Sequence, residues 1–325
     1  MTTRRALMLR AGALALAGGG LFAVRDRLPW PPLIPRFVDD RATPWTPLAG
    51  RGDLIELNAR IGDVPVRALI DSGAQISAID QGLAERLGLP RTLAAPVLAY
   101  GLSGAPTLTG TVRLDLTLPG LAVPRLRAAA LDLARLAALT DRPLDLILGR
   151  DLLSVLALEA DFARGAARLI ARDAFRPDAR ARAIPLTRRG GAPTLPAQIE
   201  GRKLDLLVDT GSSGGIALSE PAARRAGLLD PGRTQGTTGS VGIGGLVIDR
   251  TVMANAVEVA GETFAALSIQ VYRHARAAPA PDGIIGLGWL RAWRIDLDLT
   301  GRRLGLAPPG VSMTPSRVET TPPAR

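Results

Sequence analysis

Apolar and polar residues alternate in short runs along this chain, and each such run predicts a half-buried β-strand. Leu54-Ile55-Glu56-Leu57-Asn58-Ala59-Arg60-Ile61 and Val112-Arg113-Leu114-Asp115-Leu116-Thr117-Leu118 both keep a period of two. Two further apolar runs, Val66-Arg67-Ala68-Leu69-Ile70 and Leu204-Asp205-Leu206-Leu207-Val208, also read as strands. A short helical pattern, Ile79, Leu83 and Leu87, lies between Ser77 and Leu89 and stops at Gly88. The pattern predicts an all-β chain with short helices.

The last two runs end alike. Asp71-Ser72-Gly73 closes the first and Asp209-Thr210-Gly211 closes the second, 138 residues later. A carboxylate, a hydroxyl residue and a glycine after an apolar strand read as a tight functional loop, although Asp-Ser-Gly alone is ordinary turn chemistry. At the same offset Pro47-Leu48 matches Pro185-Leu186, Arg51-Gly52 matches Arg189-Gly190, and Ile61 matches Ile199. Further on, Leu144–Leu153 corresponds to Pro281–Leu290, each a short apolar strand stopped by a glycine that opens a helix. Acidic strand ends follow in both, Glu159 and Asp161 in one and Asp296 and Asp298 in the other. The chain is a tandem duplication in which each copy carries one Asp at the same place.

Composition narrows the chemistry. The 325 residues suffice for two medium domains, and with 47% hydrophobic but only 3% aromatic residues their cores rest on Ala, Leu, Val and Ile. The net charge of +10 is carried by arginine, Lys203 being the single lysine. The arginines are scattered and no aromatic residues interleave with them, so a nucleic-acid partner is not expected. Cysteine is absent, which removes disulfides, thiol nucleophiles and cysteine metal sites. The one histidine, His274, reads as a loop residue. Gly236–Gly245 lacks the Lys-Ser/Thr of a phosphate loop, and Gly286-Leu287-Gly288 lacks the third glycine of a dinucleotide fingerprint. Carboxylates remain as the catalytic candidates, with no metal and no cofactor expected.

Residues 1–24 read as an export signal or N-terminal anchor. Arg4-Arg5 precedes a mildly apolar, Gly-rich stretch, as in a twin-arginine signal, which places the protein in the periplasm or anchored facing it. Residues 25–49 are a Pro-rich linker, 50–170 the first lobe, 171–183 an inter-lobe connection, 184–308 the second lobe, and 309–325 a disordered tail.

Hydrophobic-Asp-Ser/Thr-Gly, followed some 75 residues later by apolar-apolar-Gly and a short helix, resembles the aspartic peptidases of the retropepsin and pepsin group. Asp71-Ser72-Gly73-Ala74 and Ile147-Leu148-Gly149-Arg150-Asp151-Leu152-Leu153 are similar to the retropepsin signature, and Asp209-Thr210-Gly211-Ser212-Ser213 has the pepsin-like form. The resemblance implies two homologous lobes related by a pseudo-two-fold axis, with Asp71 and Asp209 as a catalytic dyad holding one proton between them; the aspartic-protease dyad is a standard case of this effect. It implies that Gly73 and Gly211 let backbone amides approach the carboxylates, and that Ser72 and Thr210 hold the loops in register, the serine half more loosely for want of a methyl group. It also implies a substrate flap at Tyr100-Gly101, with Val241-Gly242 as its counterpart in the second copy. The expected function is peptide-bond hydrolysis on a peptide or protein substrate by a monomer. The alternative is a catalytically silent module that binds an extended peptide in the same cleft. A surface-anchored interaction protein relying on the basic charge ranks behind both.

Overall fold

Strands Val64–Ile70 and Arg202–Asp209 carry the two apolar runs, each inside its own sheet. A computed structural model of the chain describes residues 13–14, 32–39, 41–99, 107–242, 245–273 and 280–309. The first sheet has eight strands and the second eleven, the latter counting the two-residue segment Ala13–Leu14.

Both sheets are assembled by the same steps. A hairpin forms first: Glu56–Ile61 with Val64–Ile70, and Ala192–Ile199 with Arg202–Asp209. A short strand from later in the chain then lies parallel to the second arm. Leu146–Leu148 pairs Leu148 with Ile70, and Gly283–Gly286 pairs Ile285 with Val208. Enclosure between neighbours explains why these segments are almost wholly apolar: Ile70, Leu148, Val208 and Ile285 are all 0% exposed. Carboxylates tie each insertion down. Asp145 Oδ2 accepts from the Arg67 amide at 2.7 Å, and Asp282 Oδ2 from the Asp205 amide at 2.9 Å.

Helices are brief and capped. Gln81–Arg86 starts at Asp80, whose Oδ1 accepts from the Leu83 amide at 2.8 Å. Ser219 caps Glu220–Arg225 in the same way, with a proline in the first turn. The helix suggested by Ile79, Leu83 and Leu87 is shorter than its pattern because Ala78–Asp80 is taken into the sheet beside Ala129–Leu131.

A third sheet of six strands joins the lobes. Leu156–Asp161 and Ala166–Ala171 come from the first copy, Arg294–Asp298 and Arg303–Ala307 from the second. At its centre Leu156–Asp161 runs antiparallel to Arg294–Asp298 with Glu159 opposite Asp296, so the matching acidic strand ends face one another. Arg182–Pro185 extends one edge and Thr46–Pro47 the other. Residues within the Pro-rich stretch thus enter the fold, since Arg36–Phe37 also pairs with Leu121–Ala122. One apolar cluster runs through both lobes and the shared sheet. The chain is mostly β, with two barrel-like lobes. Among the described residues no helix is long and apolar enough to cross a membrane.

Candidate active site

Each central strand delivers its Asp to the lobe boundary, where the two Asp-Ser/Thr-Gly loops meet back to back. The Ser72 amide donates to Thr210 Oγ1 at 2.9 Å, and the Thr210 amide donates to Ser72 Oγ at 3.0 Å. Each hydroxyl then donates onward across the boundary, Ser72 Oγ to the Val208 carbonyl at 2.7 Å and Thr210 Oγ1 to the Ile70 carbonyl at 2.8 Å. Four reciprocal hydrogen bonds, buried from water, fix the loops against each other. The serine half closes as tightly as the threonine half; the hydroxyl does the work and the missing methyl does not loosen it.

This clasp sets the carboxylates face to face. Asp71 is 1% exposed and Asp209 0%. Asp71 Oδ1 accepts from the amides of Gly73 at 2.7 Å and Ala74 at 3.0 Å, while Asp209 Oδ1 accepts from the Gly211 amide at 2.9 Å. The Oδ2 atoms of both residues are buried without a hydrogen-bond partner outside the pair, the two carboxyls being hydrogen-bonded to each other. Buried oxygens with no other partner are rare in folded proteins and mark a place where polar chemistry is held ready. Burial pushes the Asp71 carboxyl up to about 6, against the lowering effect of the Ala74 and Gly73 amides. The Asp209 carboxyl is held well above the usual range, first by burial and then by the charge of Asp71. Two carboxyls this close cannot both ionise cheaply, so they titrate as a pair.

Glycine is required at the third position of each loop. A Cβ on Gly73 would lie 2.7 Å from Oδ1 of Asp209, and one on Gly211 would strike the carboxyl of Asp71. Each loop therefore packs its bare Cα against the opposite lobe's carboxylate.

Paired strands, a reciprocal clasp and facing carboxylates recur in both halves, and the sequence match follows the same division. A family model described as "Aspartyl protease" matches residues 57–152 and again 195–289, more than half of the chain. The chain belongs to the aspartyl protease family. No curated protein matches it. The two matched segments are the two lobes without the shared six-stranded sheet, so the family unit is present twice in one chain.

Other residues singled out from the sequence are placed as follows. In this family member the second hairpin, Gln235–Gly242 with Gly245–Ala254, is described, and Val241 near its tip is buried. Helix Leu133–Thr140 of the first lobe packs against that hairpin. The first hairpin pairs Arg91–Ala99 with Thr107–Leu118, but Tyr100 and Gly101 lie outside the described residues, as do His274, Arg4 and Arg5. Among the described residues no group of three or more His, Cys, Asp or Glu is placed to hold a metal ion.

One neighbour of the pair was read from the sequence only as part of a strand-and-helix motif. Arg150 is 7% exposed, and its Nη1 lies 3.5 Å from the Ser72 carbonyl and 3.4 Å from the Gly73 carbonyl. Its charge lowers both carboxyls. The signal available for it was an arginine at the start of a short helix, directly after the glycine that stops a fully apolar strand.

Proposed function

We propose that this protein is an aspartic endopeptidase that hydrolyses peptide bonds with a water molecule activated between Asp71 and Asp209. The observation that carries the reading is the pair of buried carboxyls, each with one oxygen committed to its own loop and the two hydrogen-bonded to each other across the lobe boundary. The ionised member takes a proton from the water as its oxygen attacks the scissile carbonyl carbon. The protonated member gives its proton to the carbonyl oxygen, forming a tetrahedral diol with no covalent enzyme intermediate. Collapse of the diol with protonation of the leaving amine restores the starting state of the pair. Ser72 and Thr210 hold the carboxyls in register, and the hairpin that ends near Val241-Gly242 covers the substrate.

The test is digestion of a peptide library across pH by the purified chain, with a pepstatin-type inhibitor as control. Asp71→Asn and Asp209→Asn should each lower kcat/KM by about a thousandfold or more, because neither carboxyl performs both proton transfers. Retention of most activity in either variant would overturn the dyad. Peptide binding without cleavage by the unaltered chain would favour the silent binding module.

Arg4-Arg5 and the apolar stretch after it support export by the twin-arginine route, with the duplicated chain acting as a monomer. Replacing both arginines with lysine should retain the protein in the cytoplasm; unchanged export would point to another route or an anchor.

A further inference from the structure

The two halves of the dyad are not electrostatically equal, and the inequality is written into one pair of equivalent positions. Arg150 and Leu287 occupy the same place in the two copies, each the first residue of the short helix after the inserted strand. Both make the same backbone bond to the catalytic loop. The Arg150 amide donates to the Ala74 carbonyl at 2.9 Å, and the Leu287 amide donates to the Ser212 carbonyl at 2.7 Å. Leu287 is fully buried among apolar side chains. Arg150 instead brings a guanidinium to the carbonyls of Ser72 and Gly73, the two residues that follow Asp71. Those contacts are long for hydrogen bonds, so the charge matters more than the bonds.

A second asymmetry points the same way. The Ala74 amide donates to the Asp71 carboxylate, whereas the equivalent Ser212 amide donates, at 3.4 Å, to the backbone carbonyl of Asp209. Asp71 therefore has one more amide donor, and a cation lies against its loop; both favour its ionised form. In a symmetric pair of identical lobes an arginine at this position would act on both carboxyls equally. In this duplicated chain the second copy carries leucine at that place instead.

We propose that Arg150 is a positioning residue that assigns the two roles of the dyad, keeping the negative charge on Asp71 and leaving the shared proton on Asp209. Asp71 is then the base toward water and Asp209 the acid toward the scissile carbonyl. Charged groups among the described residues that bear on this arrangement include Asp71, Asp209 and, next to Arg150 on its own helix, Asp151, whose Oδ1 accepts from Ser77 Oγ at 2.9 Å. The assignment of base and acid rests on the proteolytic reading; the placement of the charge does not.

The experiment titrates the aspartate carboxyl carbons of the full chain by NMR, with Asp71 and Asp209 assigned from the single Asn variants. In the unaltered chain Asp71 should titrate at the lower pH. Arg150→Gln removes the charge but keeps a donor, and should raise the Asp71 transition by about one pH unit and narrow the gap. Arg150→Lys retains the charge and should restore the original order, which a purely structural role would not do. The acidic limb of a kcat/KM profile should move with the Asp71 titration. A folded Arg150→Gln variant with both titrations unmoved would overturn the proposal, as would Asp209 titrating first in the unaltered chain. If the titrations behave as described while no peptide is cleaved, the proteolytic reading fails and the placement of the charge stands.

Discussion

A buried carboxyl raised above its ordinary range costs stability wherever it must ionise, and this chain holds two in contact. Asp71 and Asp209 bind protons more tightly in the folded state than in the unfolded chain. The stability they contribute is therefore complete below the unfolded value near 3.8; that of Asp71 is lost as pH rises through about 6, and that of Asp209 as pH rises through its own raised value. Asp209→Asn should accordingly raise Tm at pH 7–8 while abolishing cleavage. Thermal unfolding at pH 4.5 and 7.5 checks it; a variant less stable than its parent at both values would mean the pair is not under electrostatic strain. Glycine at the third loop position makes a steric counterpart. Gly73→Ala drives its methyl group into the Asp209 carboxylate. Activity should fall at least a hundredfold with the lobes still folded, measured as kcat/KM beside a circular dichroism spectrum.

The element that aligns these groups is the pair of loops, and its stability rests on hydroxyls. Ser72 and Thr210 make equivalent bonds to the opposing carbonyls, 2.7 and 2.8 Å long. Thr210→Ser should consequently leave Tm and kcat/KM nearly unchanged. Thr210→Val keeps the shape but strands the Ser72 amide and the Ile70 carbonyl in the interior, at about 1–3 kcal/mol for each unsatisfied group. Equal losses in Thr210→Ser and Thr210→Val would show that the methyl group, not the hydroxyl, holds the register.

Between the lobes the six-stranded sheet encloses a second set of charges. Arg294, 2% exposed, reaches Glu159 at 3.5 Å, Asp178 at 2.8 Å and Asp296 at 3.1 Å, while Arg168 binds Glu159 at 2.6 Å. Trp45 lies under the guanidinium groups of Arg168 at 5.0 Å and Arg294 at 5.9 Å. The charges of Glu159 and Asp178 lie close enough to Asp296 to oppose its ionisation. Burial pushes its carboxyl up to about 6, with Arg294 acting against the rise. Asp178 is held well below the usual range, chiefly by hydrogen bonding from Arg180. The signs are opposite: Asp296 loses its contribution as pH rises through about 6, and Asp178 loses its own as pH falls below the ordinary carboxylate value. Asp296→Asn keeps an acceptor for Arg294 and should raise Tm at pH 8 but not at pH 4. Arg294→Met, which leaves the acids without their central cation, should cost about 3–5 kcal/mol at neutral pH. Denaturant unfolding of both variants at the two pH values decides between a strained cluster and an inert one.

Local order was legible from the residues alone. A period of two in the polar pattern marks which segments are strands, because a pleated chain turns successive side chains to opposite faces. The repeated Asp-hydroxyl-Gly tripeptide singled out the two carboxyls that come to face each other and the glycines beside them, because each of these residues answers a constraint within its own loop. What periodicity cannot convey is the partner. The matching acidic ends at Glu159 and Asp296 were visible as a repeat, but nothing local said that they would lie opposite each other in a sheet common to both lobes. Thr46–Pro47, from a stretch that reads as linker, became the edge of that sheet because strand pairing depends on which backbone edge is open nearby. Arginine patterning would leave Arg294 on the surface; it is buried because three carboxylates from separate segments converge on it. The difference between Asp71 and Asp209 was likewise hidden in two nearly identical tripeptides. It shows in the Ala74 amide, which donates to the Asp71 carboxyl while the equivalent Ser212 amide turns to the backbone carbonyl of Asp209, a choice that only the folded loops make.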